Sequence, residues 1–173
     1  MSTPQAAAKR PVSALLAGPY GHPFHPILVT VPIGAWVCAL VFDLASRFVD
    51  DPGFLAKGSV WLIAIGVIGA VAAALVGLLD LFAIPTGTPA FRTGLLHMGL
   101  NLAVTAAYIG NFFWRQADYD TPAAVATGPL VLSALSLVAL AASGYLGGKL
   151  AYHYGVRVAD EATQAQGYQT RTD

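Results

Sequence analysis

The chain is poor in charge, and its charges cancel. Only 10% of its 173 residues are charged, nine Lys and Arg against nine Asp and Glu, where a soluble domain carries about 25%. A neutral chain offers no basic surface for nucleic acid. One cysteine, Cys38, excludes an intrachain disulfide and leaves the redox compartment open. No Cys-x-x-Cys-His stretch is present, which excludes covalent c-type haem attachment by that motif. No serine stands in a nucleophile elbow, and the acidic pairs Asp50–Asp51 and Asp160–Glu161 fall in a loop and in the tail, so hydrolase chemistry has no machinery. The apolar stretches show none of the alternation that marks a membrane barrel strand.

What the chain has instead is apolar length. Hydrophobic residues make up 56% of it, too many for a soluble chain of this size to bury. With histidine counted as neutral, uncharged runs extend over Pro11–Phe42, Gly58–Leu79, Thr93–Trp114 and Thr121–Gly148. Each reaches the roughly 20 residues a helix needs to cross a hydrocarbon core. Helices are expected near 26–49, 58–84, 90–116 and 122–152, with Pro26 preorganised at a first helical position and "IPTGTPAF" forming a reversal. Connections this short force antiparallel neighbours. The expected fold is therefore all-α, four transmembrane helices in an up-down-up-down bundle.

That bundle occupies 21–158. Residues 1–20 read as a polar or interfacial segment, in which the stretch behind Lys9 and Arg10 is too short for a secretory signal. Residues 159–173 form a polar tail with little to pack, expected to be disordered. No internal repeat and no second domain are evident. Lys9, Arg10, Arg92, Lys149, Arg157 and Arg171 fall on the side of both termini, against Arg47, Lys57 and Arg115 on the other. This bias puts both termini in the cytoplasm.

The topology gathers ionisable residues at the terminus side. His22 and His25 open the first helix in "GHPFHPILVTVP", Asp80 ends the second, His97 begins the third, and His153 follows the fourth. His97, Asn101, Thr105 and Tyr108 share one helical face and are expected to point inward, away from lipid. Gly69, Ala73 and Gly77 form a small-residue seam ending near Asp80, and Gly144 with Gly148 repeats the pattern on the fourth helix. Asp80 accepting a ring N–H from His97 would fix its tautomer and free the other nitrogen as a ligand. Asp43, near the opposite end of the first helix, reads as an ion pair with Arg47 four residues on. His153, between Tyr152 and Tyr154, reads as an interfacial side chain. Trp61 and Trp114 read as interfacial anchors.

Three functions fit these residues. Histidines on facing helices, His97 with His25 or His22, can ligate a b-type haem in a membrane redox system. His22, His25, His97 and Asp80 could instead hold a Zn, Cu or Fe ion for binding or transport, the latter within a homo-oligomer. Third, the cluster could be interhelical glue in a non-catalytic accessory or scaffold subunit with no cofactor at all. The bilayer is a partner in every case.

The ordered motifs "GHPFHPILVTVPIGAWVCALVFDL", "GLLDLFAIPTGTPAFRTGLLHMGLNL" and "GYLGGKLAYHYGVRV" resemble a bacterial four-helix membrane family of unknown function (domain of unknown function 2231) from about Gly21 to Val158. His22, Pro23, His25, Pro26, Pro32, Gly34 and Asp43 carry the first motif. Asp80, Pro85, His97 and Asn101 carry the second, and Gly147, Gly148, Tyr152 and Gly155 the third. The resemblance implies the fold, a bacterial inner membrane, and redox company, since some members are fused to Rieske-type iron–sulfur domains. Its closing stretch often reads Gly-Val-Gly-Val, from which Arg157 departs.

Overall fold

The computed structural model describes residues 4–13 and 21–169. The remainder of the N-terminal segment and residues 170–173 of the tail lie outside the described residues. The elements are α1 (Pro4–Ala8), α2 (Phe24–Leu28), α3 (Thr30–Ala45), α4 (Gly53–Phe82), α5 (Pro89–Trp114), α6 (Thr127–Gly148) and α7 (Glu161–Gln166), with a 3₁₀ turn at Arg115–Asp118 and a π turn at Lys149–His153. The fold is all-α.

Among the described residues, three helical stretches are long and apolar enough to cross a membrane: Phe24–Ala45, Gly53–Phe82 and Thr127–His153. The helix α5 has 26 residues, enough for a span by length. Its inward stripe of His97, Asn101, Thr105 and Asn111, together with Arg92, makes it less apolar than the others.

Several boundaries differ from the expected ones for local reasons. The first helix runs through Val29, between α2 and α3, with Val29 still right-handed helical and its N–H donating to the His25 carbonyl at 3.1 Å. Pro32 has no N–H to offer the Leu28 carbonyl, so one rung of the ladder is missing there. Helix α4 starts at Gly53, capped by Pro52. Helix α6 starts at Thr127 rather than near 122, because the preceding chain is tied across to the first hairpin. The Val125 N–H donates to Ser46 Oγ at 3.2 Å, and Arg47 donates to the Val125 carbonyl at 2.8 Å. The start of α5 follows its sequence signal closely. Thr88 Oγ1 accepts the Phe91 N–H at 3.1 Å, and Pro89 follows the cap. Helix α7 lies within the tail expected to be disordered, held by an Asp160 cap on Thr163 and by the Lys9–Glu161 ion pair at 2.9 Å.

Packing runs α3 on α4, α4 on α5, α5 on α6, and α6 back on α3. The core is the cluster of Trp36, Ala39, Ile63, Val104 and Tyr108. Apolar side chains such as Val41, Ile68, Leu75, Leu135 and Val138 are exposed on the outside, the arrangement suited to a lipid surround.

The second hairpin, α5–α6, repeats the first. This internal repeat was not evident in the sequence. Contacts made by the first helix recur on α5 72 residues later, and their partners on α4 recur on α6 70 residues later. Trp36 Nε1 donates to the Ile63 carbonyl at 3.3 Å, and Tyr108 OH donates to the equivalent Ser133 carbonyl at 3.2 Å. A Cβ on Gly58 would stand 2.9 Å from the Phe42 ring, and one on the equivalent Gly128 2.7 Å from the Trp114 ring. Equivalent residues also meet each other. Trp36 stacks on Tyr108 with ring centres 4.1 Å apart and planes at 11°. Asp43 pairs with Arg115, and the His25 and His97 rings lie 6.2 Å apart. A position that contacts its own equivalent lies on a two-fold axis. Three such pairs at successive heights place that axis between the first helix and α5.

Candidate functional site

The axis carries different chemistry at its two ends. At the end near Ser46 and Val125, Arg115 forms a two-pronged ion pair with Asp43. Its Nη1 and Nη2 donate to the two carboxylate oxygens, each at 2.7 Å. Its Nε donates to Asn111 Oδ1 at 2.8 Å, and Nη2 reaches Ser133 Oγ at 3.2 Å. Ser59 Oγ donates to Asp43 as well. The Asp43 and Arg115 side chains are 0% and 5% exposed. Such a bidentate, fully hydrogen-bonded pair is the form in which buried charge is tolerated. The expected Asp43–Arg47 pair does not form: Arg47 is engaged with Val125 and Thr127. Arg115 was missed as a partner. Its signal was the stripe on α5, which continues from Tyr108 through Asn111 to Arg115 at helical spacing.

At the other end stand the histidines. His25 Nδ1 lies 2.9 Å from the Ala73 carbonyl of α4, and His97 Nδ1 lies 2.8 Å from the Ser143 carbonyl of α6. A carbonyl only accepts, so Nδ1 carries a proton in both rings, and in the neutral form of each ring Nε2 holds the lone pair. Ala73 and Ser143 are equivalent positions of the two hairpins, and the seating below them is equivalent too. A Cβ on Gly77 would stand 2.9 Å from the His25 ring, and one on Gly147 3.1 Å from the His97 ring. Each imidazole therefore rests on a glycine one turn beyond the carbonyl that holds it. The seam of Gly69, Ala73 and Gly77 does face the first helix: Gly69 abuts Val31, and Gly77 abuts His25. On α6 the packing glycine is Gly147, whereas Gly144 meets nothing within 4 Å.

Asp80 does not reach His97. One turn beyond Gly77, it faces Arg157 Nε at 2.9 Å, an ionic contact in which the N–H is not aligned on the oxygen. Arg157 follows the π turn with φ of +59°, a left-handed conformation that costs a non-glycine residue roughly 1–2 kcal/mol. The family resemblance often places glycine there, and this backbone geometry accounts for it. The Arg157 N–H also donates to the Ala8 carbonyl at 3.0 Å, tying α1 to this end.

The His97 ring has further neighbours. Asn101 Nδ2 donates to the His97 carbonyl at 2.8 Å and to Ser143 Oγ at 2.7 Å. It also lies 3.2 Å from His97 Nε2 and 3.4 Å from Nδ1. A donor along the Nε2 lone pair would be far from Nδ1, so the amide sits over the ring face and Nε2 stays available in the ring plane. Thr105 turns back to the Asn101 carbonyl. Tyr108 belongs to the buried core, which closes the stripe before it can run as an open polar path. His22 is half-buried just ahead of α2, while His153 is exposed with its ring against Tyr154. Among the described residues, no three His, Cys, Asp or Glu side chains gather as a metal-holding group. The site is a pair, not a cluster.

The two rings stand edge to face, with centres 6.2 Å apart and planes at 81°, a separation within the range of direct ring contact. The backbone-anchored Nδ1–H is the arrangement that orients a ligating histidine.

The chain matches the family described as predicted membrane protein (DUF2231) over residues 21–160. No curated protein and no solved structure matches it.

Proposed function

The chain belongs to the DUF2231 family of predicted membrane proteins, and from that premise we propose that it is an up-down-up-down bundle of four transmembrane helices whose His25 and His97 ligate a b-type haem. The family resemblance and the Lys and Arg distribution support a bacterial inner membrane with both termini cytoplasmic. The haem would serve one-electron transfer with a redox or respiratory partner protein, in a monomer or a homo-oligomer.

One observation carries this reading. Of the residues that meet across the axis, Trp36 faces Tyr108 and Asp43 faces Arg115, but histidine faces histidine. The glycine seat is likewise the same in both hairpins. Packing at the axis is satisfied by unlike pairs elsewhere, so the repeated His-on-Gly unit answers a demand made equally from both sides. A haem between the first helix and α5 would make that demand, with His25 and His97 as the residues that would hold it. When bound, haem supplies reversible one-electron chemistry. The protein's part would be to anchor both imidazoles through the two Nδ1 bonds and to surround the centre with apolar helices. The Asp80–Arg157 pair adds neighbouring charge one turn away.

The scaffold reading is favoured by a different observation. Both histidines and both buried ion pairs already bridge separate segments of the fold, which suffices for interhelical glue. Spectra of detergent-purified protein from a haem-replete host separate the readings. A Soret band with sharp α and β bands after dithionite, lost in His97→Ala, supports haem. A colourless sample with stoichiometric Zn, Cu or Fe favours a bare ion held by the same pair. Neither chromophore nor metal leaves the scaffold.

A further inference from the structure

The two hairpins repeat each other except in the chain that closes them. The first turns through residues 46–52, between α3 and α4, and the second through residues 115–126, between α5 and α6. The second connection is therefore five residues longer than its counterpart. Surplus loop on an otherwise repeated frame is where binding residues concentrate.

Both feet of the longer connection are pinned. Beside α6, Val125 is held by Ser46 and Arg47. Beside α4, Trp61 Nε1 donates to Tyr119 OH at 3.1 Å, and Lys57 Nζ lies 5.2 Å from the centre of the Tyr119 ring. Between these feet the loop and the start of α4 border a cavity of about 300 Å³. That volume is at the lower end of small-molecule sites, the size of a headgroup and not of a whole lipid. Its buried wall is Val60, Val125 and Pro129. Arg115 also lines it, but its donors are engaged by Asp43, Asn111, Ser59 and Ser133.

The mouth carries both signs of charge. Lys57 pairs with Asp120 at 3.1 Å, with side chains 42% and 91% exposed, so solvent screens this pair and it exchanges readily. Asp118 lines the same cavity, and among the described residues its carboxylate has no partner on this chain. A lone anion meets two carboxylates here, and a lone cation meets the Lys57 ammonium. A ligand bearing both charges complements all three groups. Trp61 and Trp114 are exposed at this end, as tryptophans are at the headgroup layer of a membrane protein.

We propose that this cavity binds the zwitterionic headgroup of an ethanolamine phospholipid, with the phosphate on Lys57 and the primary ammonium on Asp118 and Asp120. Lys57 exchanges Asp120 for the phosphate, and the released carboxylate accepts from the ammonium. A primary ammonium has N–H donors for both carboxylates. The site lies at the opposite end of the axis from His25 and His97 and does not depend on what they hold.

Unfolding midpoints of the full chain in mild detergent test it, with phosphatidylethanolamine, phosphatidylglycerol, phosphatidylcholine or soluble phosphoethanolamine added. Phosphatidylethanolamine should raise the midpoint by ~5 °C near saturation, and the other two lipids by less than half as much. Lys57→Gln should abolish the rise, and Asp118→Asn/Asp120→Asn should remove the preference for ethanolamine over glycerol. These variants alter solvent-accessible side chains and keep the bundle. No rise with phosphatidylethanolamine overturns the proposal, as does an equal or larger rise with either other lipid, or a rise that survives in Lys57→Gln. The full rise from soluble phosphoethanolamine alone assigns the cavity to a soluble zwitterion and overturns the lipid as its source.

Discussion

The two ends of the internal axis are built on one plan and reach opposite outcomes. At the Asp43–Arg115 end, unlike charges meet, and Asn111, Ser59 and Ser133 take up the remaining donors and acceptors. At the His25–His97 end, like residues meet, each using one nitrogen on a main-chain carbonyl and keeping the other. A polar pair that satisfies itself holds the fold. A like pair anchored only to main-chain carbonyls is the place at which we propose a bound group.

The largest effect that tests this contrast is at the satisfied end. Arg115→Met should leave Asp43 buried without its partner and lower stability by about 3–5 kcal/mol. Asp43→Leu/Arg115→Met should recover much of that loss, read from unfolding midpoints in detergent. Should the double variant be no better than the single one, the pair is not the self-contained unit described here.

Next in size is the packing between the ends. A Cβ on Gly66 would collide with the Trp36 indole at Nε1, too closely to be absorbed by a small shift. Gly66→Ala should displace the Trp36–Tyr108 stack and cost about 1–3 kcal/mol by overpacking. An unchanged near-ultraviolet circular dichroism spectrum would contradict it.

Removing the Tyr108 hydroxyl tests the polar content of the middle. Tyr108→Phe leaves the Ser133 carbonyl without this donor and should cost about 1 kcal/mol. A loss as large as that from Arg115→Met would mean that the stripe acts as one network, not as separate ends.

The smallest effect lies outside the bundle, at α7. Asp160 caps that helix by accepting the Thr163 N–H, which holds its carboxyl below the ordinary value of 3.8. A depressed folded-state value stabilises the cap above the ordinary value, and the contribution is lost as pH falls through the lower folded one. Amides at Thr163 and Gln164 should therefore lose protection only below about pH 3.8, with the bundle unaffected. Hydrogen exchange across pH 5 to 2 reads this directly, and loss of protection already near pH 5 would sink it.

Much of the plan was legible in the residues. Apolar run length located the four long helices to within a few residues at most ends, because helix rise and hydrocarbon thickness leave little choice. The inward face of α5 was legible from the spacing of His97, Asn101, Thr105 and Tyr108. That His25, His97 and Asp80 share one end followed from alternating helix direction. The partners were less accessible. Local spacing favoured Arg47 for Asp43, since i and i+4 are neighbours on a helix, but the loop into α6 engages Arg47 and leaves Asp43 to Arg115. Depth alone favoured Asp80 for His97. Arg157, turned inward by a left-handed residue after the π turn, reaches Asp80 instead.

The repeat shows where the division falls. The sequence by itself determined an apolar, charge-poor, all-helical chain and the depth of each polar side chain, because burial in lipid and helical period act on every residue locally. Only the tertiary structure decided that the hairpins are equivalent and that His25 meets His97. The two halves share few residues at these offsets. What they share is the carbonyl of Ala73 or Ser143, the gap above Gly77 or Gly147, and a common axis. Those are relations in space between helices 48 and 46 residues apart in the chain, and packing alone brings them together.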